Sequence, residues 1–217
     1  MSIKENLSSI LSTLPKTVTL VAVSKTKPIP DLQQVYDEGQ RIFGENRVQE
    51  MTEKWEKMPK DIEWHMIGHL QRNKVKYMAE YVSLIHGVDS PRLLAEINKQ
   101  AEKHNRIISC LLQVHIAEED TKFGFDEEEL LALVENEEFK TYKHVKIVGL
   151  MGMATFTEDM SQVRREFKGL KSLYTKLENN YPNFTTLSMG MSGDYKIAIE
   201  EGSTMVRIGS SIFGTRN

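Results

Sequence analysis

The 217-residue chain is poor in cysteine, the residue whose disulfides stabilise many small secreted proteins, and contains only Cys110. One cysteine excludes an internal disulfide and is typical of a reducing compartment. Cys110 lies within the apolar run 107–114, which favours a small core residue over a reactive nucleophile. The N-terminus has no basic segment followed by an apolar one, so we expect no secretory signal and a cytoplasmic location.

The chain also lacks a basic excess and long apolar runs. Lys and Arg number 28 against 31 Asp and Glu, a formal net charge of −3. Nucleic-acid-binding proteins usually have a basic surface, so we expect no nucleic-acid partner. No apolar run approaches the roughly 20 residues that cross a bilayer, so we expect no membrane partner. The length fits one large domain, predicted to span residues 1–217.

The strongest pattern present is an alternation of short apolar runs with amphipathic helical segments. It predicts eight strands, at residues 18–23, 41–43, 62–65, 82–86, 107–114, 145–150, 185–187 and 204–208. Such an alternation predicts an α/β fold, and eight strands favour a closed (β/α)8 TIM-type barrel with an added N-terminal helix. An open doubly wound sheet is the alternative, although no Gly-x-Gly-x-x-Gly follows the first predicted strand.

A lysine closes the first predicted strand, and active sites of such barrels lie at the carboxyl ends of the strands. Residues 24–28 read Ser-Lys-Thr-Lys-Pro, with Lys25 nearest to the strand. Loss of solvation there disfavours the charged form of an amine, as an imine-forming lysine requires. Lys25 is a better candidate than Lys27, which lies beside Pro28. The alternative for Lys25 is a rim lysine that reaches water.

Small residues follow the last two predicted strands, at 188–194 and 209–211. Glycines and helix N-termini let backbone N–H groups approach an anion, and phosphate sites recur at these two loops in the fold. We therefore predict a phosphate-bearing ligand, the alternative being two ordinary turns. With Arg207 at the end of strand eight, an imine-forming lysine and a phosphate site point to pyridoxal phosphate. The alternative for Arg207 is an internal salt bridge or a surface cation.

Two further groups of polar residues lie at strand ends. His65 and His69 are four residues apart, but no third metal ligand is evident, so we expect hydrogen-bonding histidines and no zinc site. Residues 44–46, predicted as a turn after the second strand, place the Glu45 carboxylate and the Asn46 amide at the same barrel end. The sequence favours two interpretations of this turn to the same degree, a helix cap and a ligand contact.

Five stretches of the sequence resemble a known family. They are residues 21–27, 43–50, 64–71, 187–192 and 203–209, which read VAVSKTK, FGENRVQE, WHMIGHLQ, LSMGMS and STMVRIG. These stretches resemble the pyridoxal phosphate homeostasis protein family, whose members look like the barrel domain of alanine racemase standing alone. One local difference is His69, where many members have proline.

The resemblance implies that seven residues bind pyridoxal 5′-phosphate: Lys25 as a Schiff base, Ser192, Gly209 and Ser210 at the phosphate, Arg207 at the pyridine nitrogen, with Asn46 and Ser188 nearby. It also implies a role in vitamin B6 and amino-acid homeostasis. An arginine leaves the ring nitrogen unprotonated, and we expect no second domain to supply a second acid or base.

We therefore expect a cytoplasmic, monomeric carrier of the cofactor without catalytic turnover. Its candidate recipients are apo-enzymes that use pyridoxal phosphate. One alternative is a weak amino-acid racemase or other pyridoxal phosphate enzyme. Another is an aldolase in which Lys25 attacks a sugar phosphate directly.

Overall fold

Strands and helices alternate along the chain, as the sequence pattern predicts. The computed structural model describes residues 2–118, 123–179 and 181–214. Its strands are β1 Thr19–Val23, β2 Ile42–Glu45, β3 Glu63–Met66, β4 Leu84–Val88, β5 Ile108–Gln113, β6 Val145–Met151, β7 Thr186–Met191 and β8 Met205–Ile208. Its helices are α1 Ile3–Thr13, α2 Ile29–Asp37, α3 Val48–Lys57, a 3-10 helix Arg72–Tyr77, α4 Pro91–Lys103, α5 Glu127–Glu135, α6 Glu137–Lys140, α7 Met160–Glu178, α8 Tyr195–Glu200 and α9 Ser210–Phe213.

The eight strands close into a parallel barrel in chain order. The closing pair is β1 with β8, in which Thr19 lies opposite Met205 and Val21 lies opposite Arg207. The predicted (β/α)8 barrel is thereby confirmed, and the open doubly wound sheet is wrong. Because all eight strands are parallel, their carboxyl ends meet around one opening.

Two groups of buried apolar residues stabilise the barrel. The larger one packs the strands against the helices and includes Leu20 and Ala22 of β1. Val21, between them, points to the other face and belongs to a smaller cluster inside the barrel, with Leu84, Leu111, Met151 and Met205. Burial on both faces explains why several strands are continuous apolar runs in the sequence. In the described part of the chain, no helix has the length and apolar character needed to cross a membrane.

Hydrogen bonds hold the added N-terminal helix, α1, at its first turn and against α9. A capping box begins it, in which Ser2 N donates to Glu5 Oε2 at 2.7 Å and Glu5 N donates to Ser2 Oγ at 3.3 Å. Asn6 Nδ2 donates to the Ile212 carbonyl oxygen of α9 at 3.0 Å. The helix therefore packs against α9, which follows β8, and it also contacts α2.

Two segments predicted as loops are parts of strands. Gly44 and Glu45 belong to β2 and lie opposite His65 and Met66 of β3. Residues 188–191 belong to β7. The sequence pattern was misleading at both places because small and polar residues usually indicate turns. In the structure Gly44, Glu45 and residues 188–190 are buried, and Glu45 Oε1 and Ser188 Oγ accept hydrogen bonds from Lys54 and Arg207.

Gly149 of β6 provides a stability test. A Cβ added there would lie 1.7 Å from the Thr186 carbonyl oxygen of β7, with a φ of +154°. Gly149→Ala must push two paired strands apart, so we expect it to lower the free energy of unfolding by about 3 kcal/mol or more in urea denaturation. Gly169→Ala is the matched control, because Gly169 is exposed in α7 with no atom within 4 Å of an added Cβ.

The control should raise the free energy of unfolding by roughly 0.5–1 kcal/mol, since alanine favours a helix. Equal stability of the two variants would contradict the close approach of β6 and β7.

Candidate functional site

An open cavity of about 750 Å³ lies at the carboxyl ends of the strands. Six of the seven residues predicted to bind the cofactor line it: Lys25, Asn46, Ser192, Arg207, Gly209 and Ser210. They come from β8 and from the segments that follow β1, β2, β7 and β8. The seventh, Ser188, is fully buried and contacts Arg207. Closure of the barrel thus brings together residues more than 180 positions apart in sequence.

The segments after β7 and β8 meet at the hydroxyl of Ser192, and we call this place the Ser192 corner. Ser192 Oγ accepts the backbone N–H groups of Gly209 at 3.3 Å and of Ser211 at 3.4 Å. Because both bonds use its lone pairs, Ser192 can donate its own proton to a ligand oxygen. Gly209 packs closely on the end of β1, since a Cβ there would lie 3.0 Å from the Val23 carbonyl oxygen.

Lys25 lies in a turn that immediately follows β1. The next residue, Thr26, has a φ of +65°, which is a strained conformation for a β-branched residue. Its backbone N–H donates to Glu50 Oε1 at 2.5 Å. Lys27, the alternative amine, donates from Nζ to the Phe213 carbonyl oxygen at 3.1 Å. This bond holds the Lys27 ammonium at α9.

A buried cluster of charged side chains stabilises the turn that carries Lys25. Lys54 Nζ donates to Glu45 Oε1 and to Glu50 Oε1, each at 2.7 Å, and to the Ser24 carbonyl oxygen at 2.8 Å. Ser24 Oγ donates to Glu45 Oε1 at 2.6 Å. Burial raises the pKa of Glu45, and the Lys54 charge opposes that shift. Glu45 is therefore neither a helix cap nor a lining residue of the cavity; it anchors the segment that carries Lys25.

Sequence reasoning missed Lys54 and Glu50, although a signal for both was present. Lys54 follows Val48 and Met51 at intervals of three, so it lies on the buried face of α3. Glu50 is four residues before Lys54. A lysine on an apolar helix face with a carboxylate one turn away indicates a buried ion pair.

Arg207 is 3% exposed and has only neutral hydrogen-bond acceptors among the described residues. Its Nη1 donates to Ser188 O at 3.0 Å and to Ser188 Oγ at 2.6 Å, and its Nη2 donates to Gly152 O at 3.0 Å. Burial lowers the pKa of Arg207 to about 10, and the nearby charge of Asp194 opposes this. The guanidinium thus stays charged at neutral pH at the cavity wall, and no carboxylate in the described part of the chain is bonded to it.

Two buried histidines continue this network into the barrel. His86 Nδ1 lies 3.1 Å from Ser188 Oγ, and His86 Nε2 lies 3.1 Å from His65 Nδ1. Since a guanidinium only donates hydrogen bonds, Ser188 Oγ accepts one from Arg207 and can itself donate one to His86 Nδ1. Burial lowers the pKa of His65 to about 3 and that of His86 well below its ordinary value, so both are neutral. His65 is therefore a hydrogen-bonding histidine, as predicted.

His69, the other histidine singled out in the sequence, lies on the rim of the cavity. Sequence reasoning did not connect it with its partners. His69 Nδ1 is 2.9 Å from Asp89 Oδ2, and the His69 ring stacks on Phe123 with centroids 4.2 Å apart. His69 and Phe123 both line the cavity. Within residues 2–118, 123–179 and 181–214, no three side chains of His, Cys, Asp or Glu are grouped to hold a metal ion.

Fold and site together define a TIM-type barrel protein with a ligand cavity at the carboxyl ends of the strands. The family model described as "Alanine racemase, N-terminal domain" matches residues 1–217. The pyridoxal phosphate homeostasis protein of Aquifex aeolicus is 40% identical over 228 residues, covering 100% of this chain and 99% of the relative. That of Pasteurella multocida is 37% identical, with the same coverage of each chain. The chain belongs to the pyridoxal phosphate homeostasis protein family.

Solved structures agree with this assignment. PipY of Synechococcus elongatus, solved with pyridoxal phosphate bound, superposes with a TM-score of 0.89 at 35% identity, covering 98% of this chain and 100% of PipY. An alanine racemase of Clostridium difficile has a TM-score of 0.80 at 12% identity, covering 99% of this chain and 57% of the racemase. The second likeness shows the fold alone.

The buried histidines predict acid sensitivity of the fold. His65 in the unfolded chain binds a proton near its ordinary pKa of about 6.5, whereas burial lowers its pKa to about 3 in the folded state. Between these values the unfolded chain binds more protons. The free energy of unfolding should therefore fall as the pH decreases below about 6.5, by about 1 kcal/mol per pH unit for each such histidine.

His65→Asn keeps an acceptor near the Nδ1 position and removes the titration. Its denaturation midpoints, measured in urea at a series of pH values, should show a shallower loss of stability than those of the unmodified protein. His104→Asn, at an exposed site after α4, should leave the slope unchanged. An unchanged slope in His65→Asn would contradict a buried neutral His65.

Proposed function

We propose that this protein binds pyridoxal 5′-phosphate, holds it as a Schiff base on Lys25, and releases it without catalytic turnover. The observation that carries the proposal is the convergence of Lys25, Arg207 and the Ser192 corner on one cavity. The pyridoxal phosphate bound to PipY, which is 35% identical over nearly the whole chain, supports the same ligand here. The proposed role is in vitamin B6 and amino-acid homeostasis.

The corner after β7 and β8 fits the phosphate of this ligand. Ser192 and Ser210 offer hydroxyl donors, and Gly209 lets the chain pass close to the end of β1. Loops after the last two strands are the usual phosphate position in this fold. We assign Ser192, Gly209 and Ser210 to the phosphate and place Asn46, on the β2 side, near the ring.

Arg207 fits an anionic ligand and argues against turnover. A buried cation with neutral acceptors gains most from a nearby negative charge, which a phosphorylated ligand brings. Because a guanidinium only donates hydrogen bonds, a pyridine nitrogen facing Arg207 must accept one and stay unprotonated. An unprotonated ring withdraws electrons weakly. Ser188 then acts through Arg207, which it orients from behind the cavity wall.

Lys25 fits the aldehyde end. When bound, the cofactor supplies an aldehyde, which condenses with a primary amine and releases one water molecule. The strained turn at Thr26 and the ion cluster around Lys54 hold the segment that bears Lys25. A rigid support of this kind keeps an amine at one place of the cavity wall.

The further parts of the proposal concern the protein in the cell. We propose a single domain spanning residues 1–217, a monomer in the cytoplasm, and apo-enzymes that use the cofactor as recipients. Pairing of β1 with β8 makes the two ends of the chain parts of one barrel, which supports the single domain. Burial raises the pKa of the lone thiol, Cys110, which supports an inert core residue.

Replacement of single lysines tests the Schiff base. The protein mixed with pyridoxal phosphate should be yellow, and Lys25→Ala should lose that visible absorption, because the amine assigned to the Schiff base is then removed. Lys27→Ala is the matched control and should keep the colour, since Lys27 is bonded to Phe213. Borohydride reduction followed by peptide mass mapping should place the adduct on the peptide that contains Lys25.

An adduct on Lys27 alone would contradict the assignment of the amine. Loss of optical activity of an added L-amino acid, at a rate proportional to the loaded protein, would instead support the alternative of a weak racemase.

A further inference from the structure

The rim pair of His69 and Asp89 has the geometry of a proton-accepting dyad. His69 follows β3 and Asp89 follows β4, so both lie at the carboxyl ends of the strands, on the opposite side of the barrel opening from β7 and β8. Their side chains meet at 2.9 Å between Nδ1 and Oδ2. The Asp89 side chain is 12% exposed and the His69 side chain 43%, so the carboxylate is shielded while the ring reaches the open cavity.

The partners of His69 fix its position and its tautomer. The ring lies nearly parallel to Phe123, at an interplanar angle of 20°. Gly68 packs on the backbone of Asn46, where an added Cβ would lie 2.6 Å from the Asn46 carbonyl oxygen. A carboxylate only accepts hydrogen bonds, so Nδ1 of a neutral His69 carries the proton and Nε2 has the free lone pair.

A carrier that binds its ligand through an imine needs a way to release it. We propose that the His69–Asp89 dyad accepts the ammonium proton of a small primary amine, such as a free amino acid, that enters the cavity and displaces Lys25 from the ligand. This inference rests on the proposed function and deepens it by naming the class of molecule that triggers release.

The step balances without any other reactant. An amine at neutral pH carries a proton that blocks its lone pair, so the proton must move to a base before the nitrogen can attack. His69 Nε2 takes that proton. The incoming nitrogen forms its bond to the imine carbon, and its two remaining protons pass to Lys25 Nζ as the bond from that carbon to Nζ breaks. His69 then returns the first proton, so that Lys25 departs as an ammonium. No electrons are gained or lost, and the ligand leaves joined to the incoming amine.

Two variants separate proton transfer from a structural role. His69→Asn keeps an N–H donor for Asp89 near the Nδ1 position but has no group at the Nε2 position. His69→Ala removes both and opens space for added imidazole. His104→Asn is the matched control, because His104 is exposed and follows α4 at the other end of the barrel.

The measurement is the rate at which a fixed concentration of L-alanine removes the visible absorption of the Lys25 adduct from the protein. General acid–base catalysis typically contributes about 100-fold or more. We therefore expect His69→Asn to slow the removal by at least about tenfold, with imidazole restoring the rate in His69→Ala. A rate in His69→Asn within about threefold of the unmodified protein, or no rescue by imidazole, would overturn the proposal.

A second readout uses the protein without its ligand. Nitrogen-15 NMR, with the His69 signals assigned by their loss in His69→Asn, should show a proton on Nδ1 and a free Nε2. A proton on Nε2 alone would overturn the dyad independently of any loading. Failure of Lys25 to form an adduct in any variant would refute the proposed function instead, which the absorption before addition of L-alanine reveals.

Discussion

The site depends on a guanidinium that is buried among neutral acceptors. Removing a cation from water is costly, and the structure offsets the cost with two carbonyl oxygens and the hydroxyl of Ser188, all within 3.0 Å of Arg207. Behind the hydroxyl, His86 and His65 are held neutral by burial, so they add no competing charge. The largest remaining gain for this cation is a negative charge in the cavity that it lines.

Barrel closure turns this local arrangement into a site. Arg207 lies in β8, and the pairing of β8 with β1 brings it to the side of the opening that bears Lys25. The ion cluster of Glu45, Glu50 and Lys54 keeps the turn after β1 in place from outside the cavity. The turn that bears Lys25, the Arg207 guanidinium and the Ser192 hydroxyl are thus each held by separate contacts within the protein.

Much of the fold could be predicted from the sequence because parallel strands buried on both faces leave continuous apolar runs. β1 and β5 are such runs, and their predicted bounds agree within one or two residues. The carboxyl ends of β2 and β7 could not be predicted, since Gly44, Glu45 and Ser188 have the composition of turns. Glu45 Oε1 and Ser188 Oγ are tolerated in strands because they accept hydrogen bonds from Lys54 and Arg207, and no local pattern indicates such distant partners.

The residues of the candidate site likewise fall into some that could be predicted from the sequence and some that could not. Residues at strand ends, such as Lys25 and Ser192, could be identified because the fold dictates that strand ends face the cavity. The spacing of Glu50 and Lys54 indicates a buried ion pair on α3, but the further partner Glu45 could not be predicted, because Lys54 meets it only after α3 packs on β2. Similarly, His69 meets Asp89 only after β3 and β4 pair. The relation of Ser188 to Arg207 likewise needs the pairing of β7 with β8. Such contacts are set by tertiary structure.

Transfer of the cofactor tests the central claim most directly. The loaded protein is mixed with an apo-enzyme that uses pyridoxal phosphate, and the return of that enzyme's activity is followed against an equal concentration of free cofactor. A carrier that presents its ligand at an open cavity should restore activity faster than the free cofactor does. Restoration no faster than with free cofactor would contradict the carrier account.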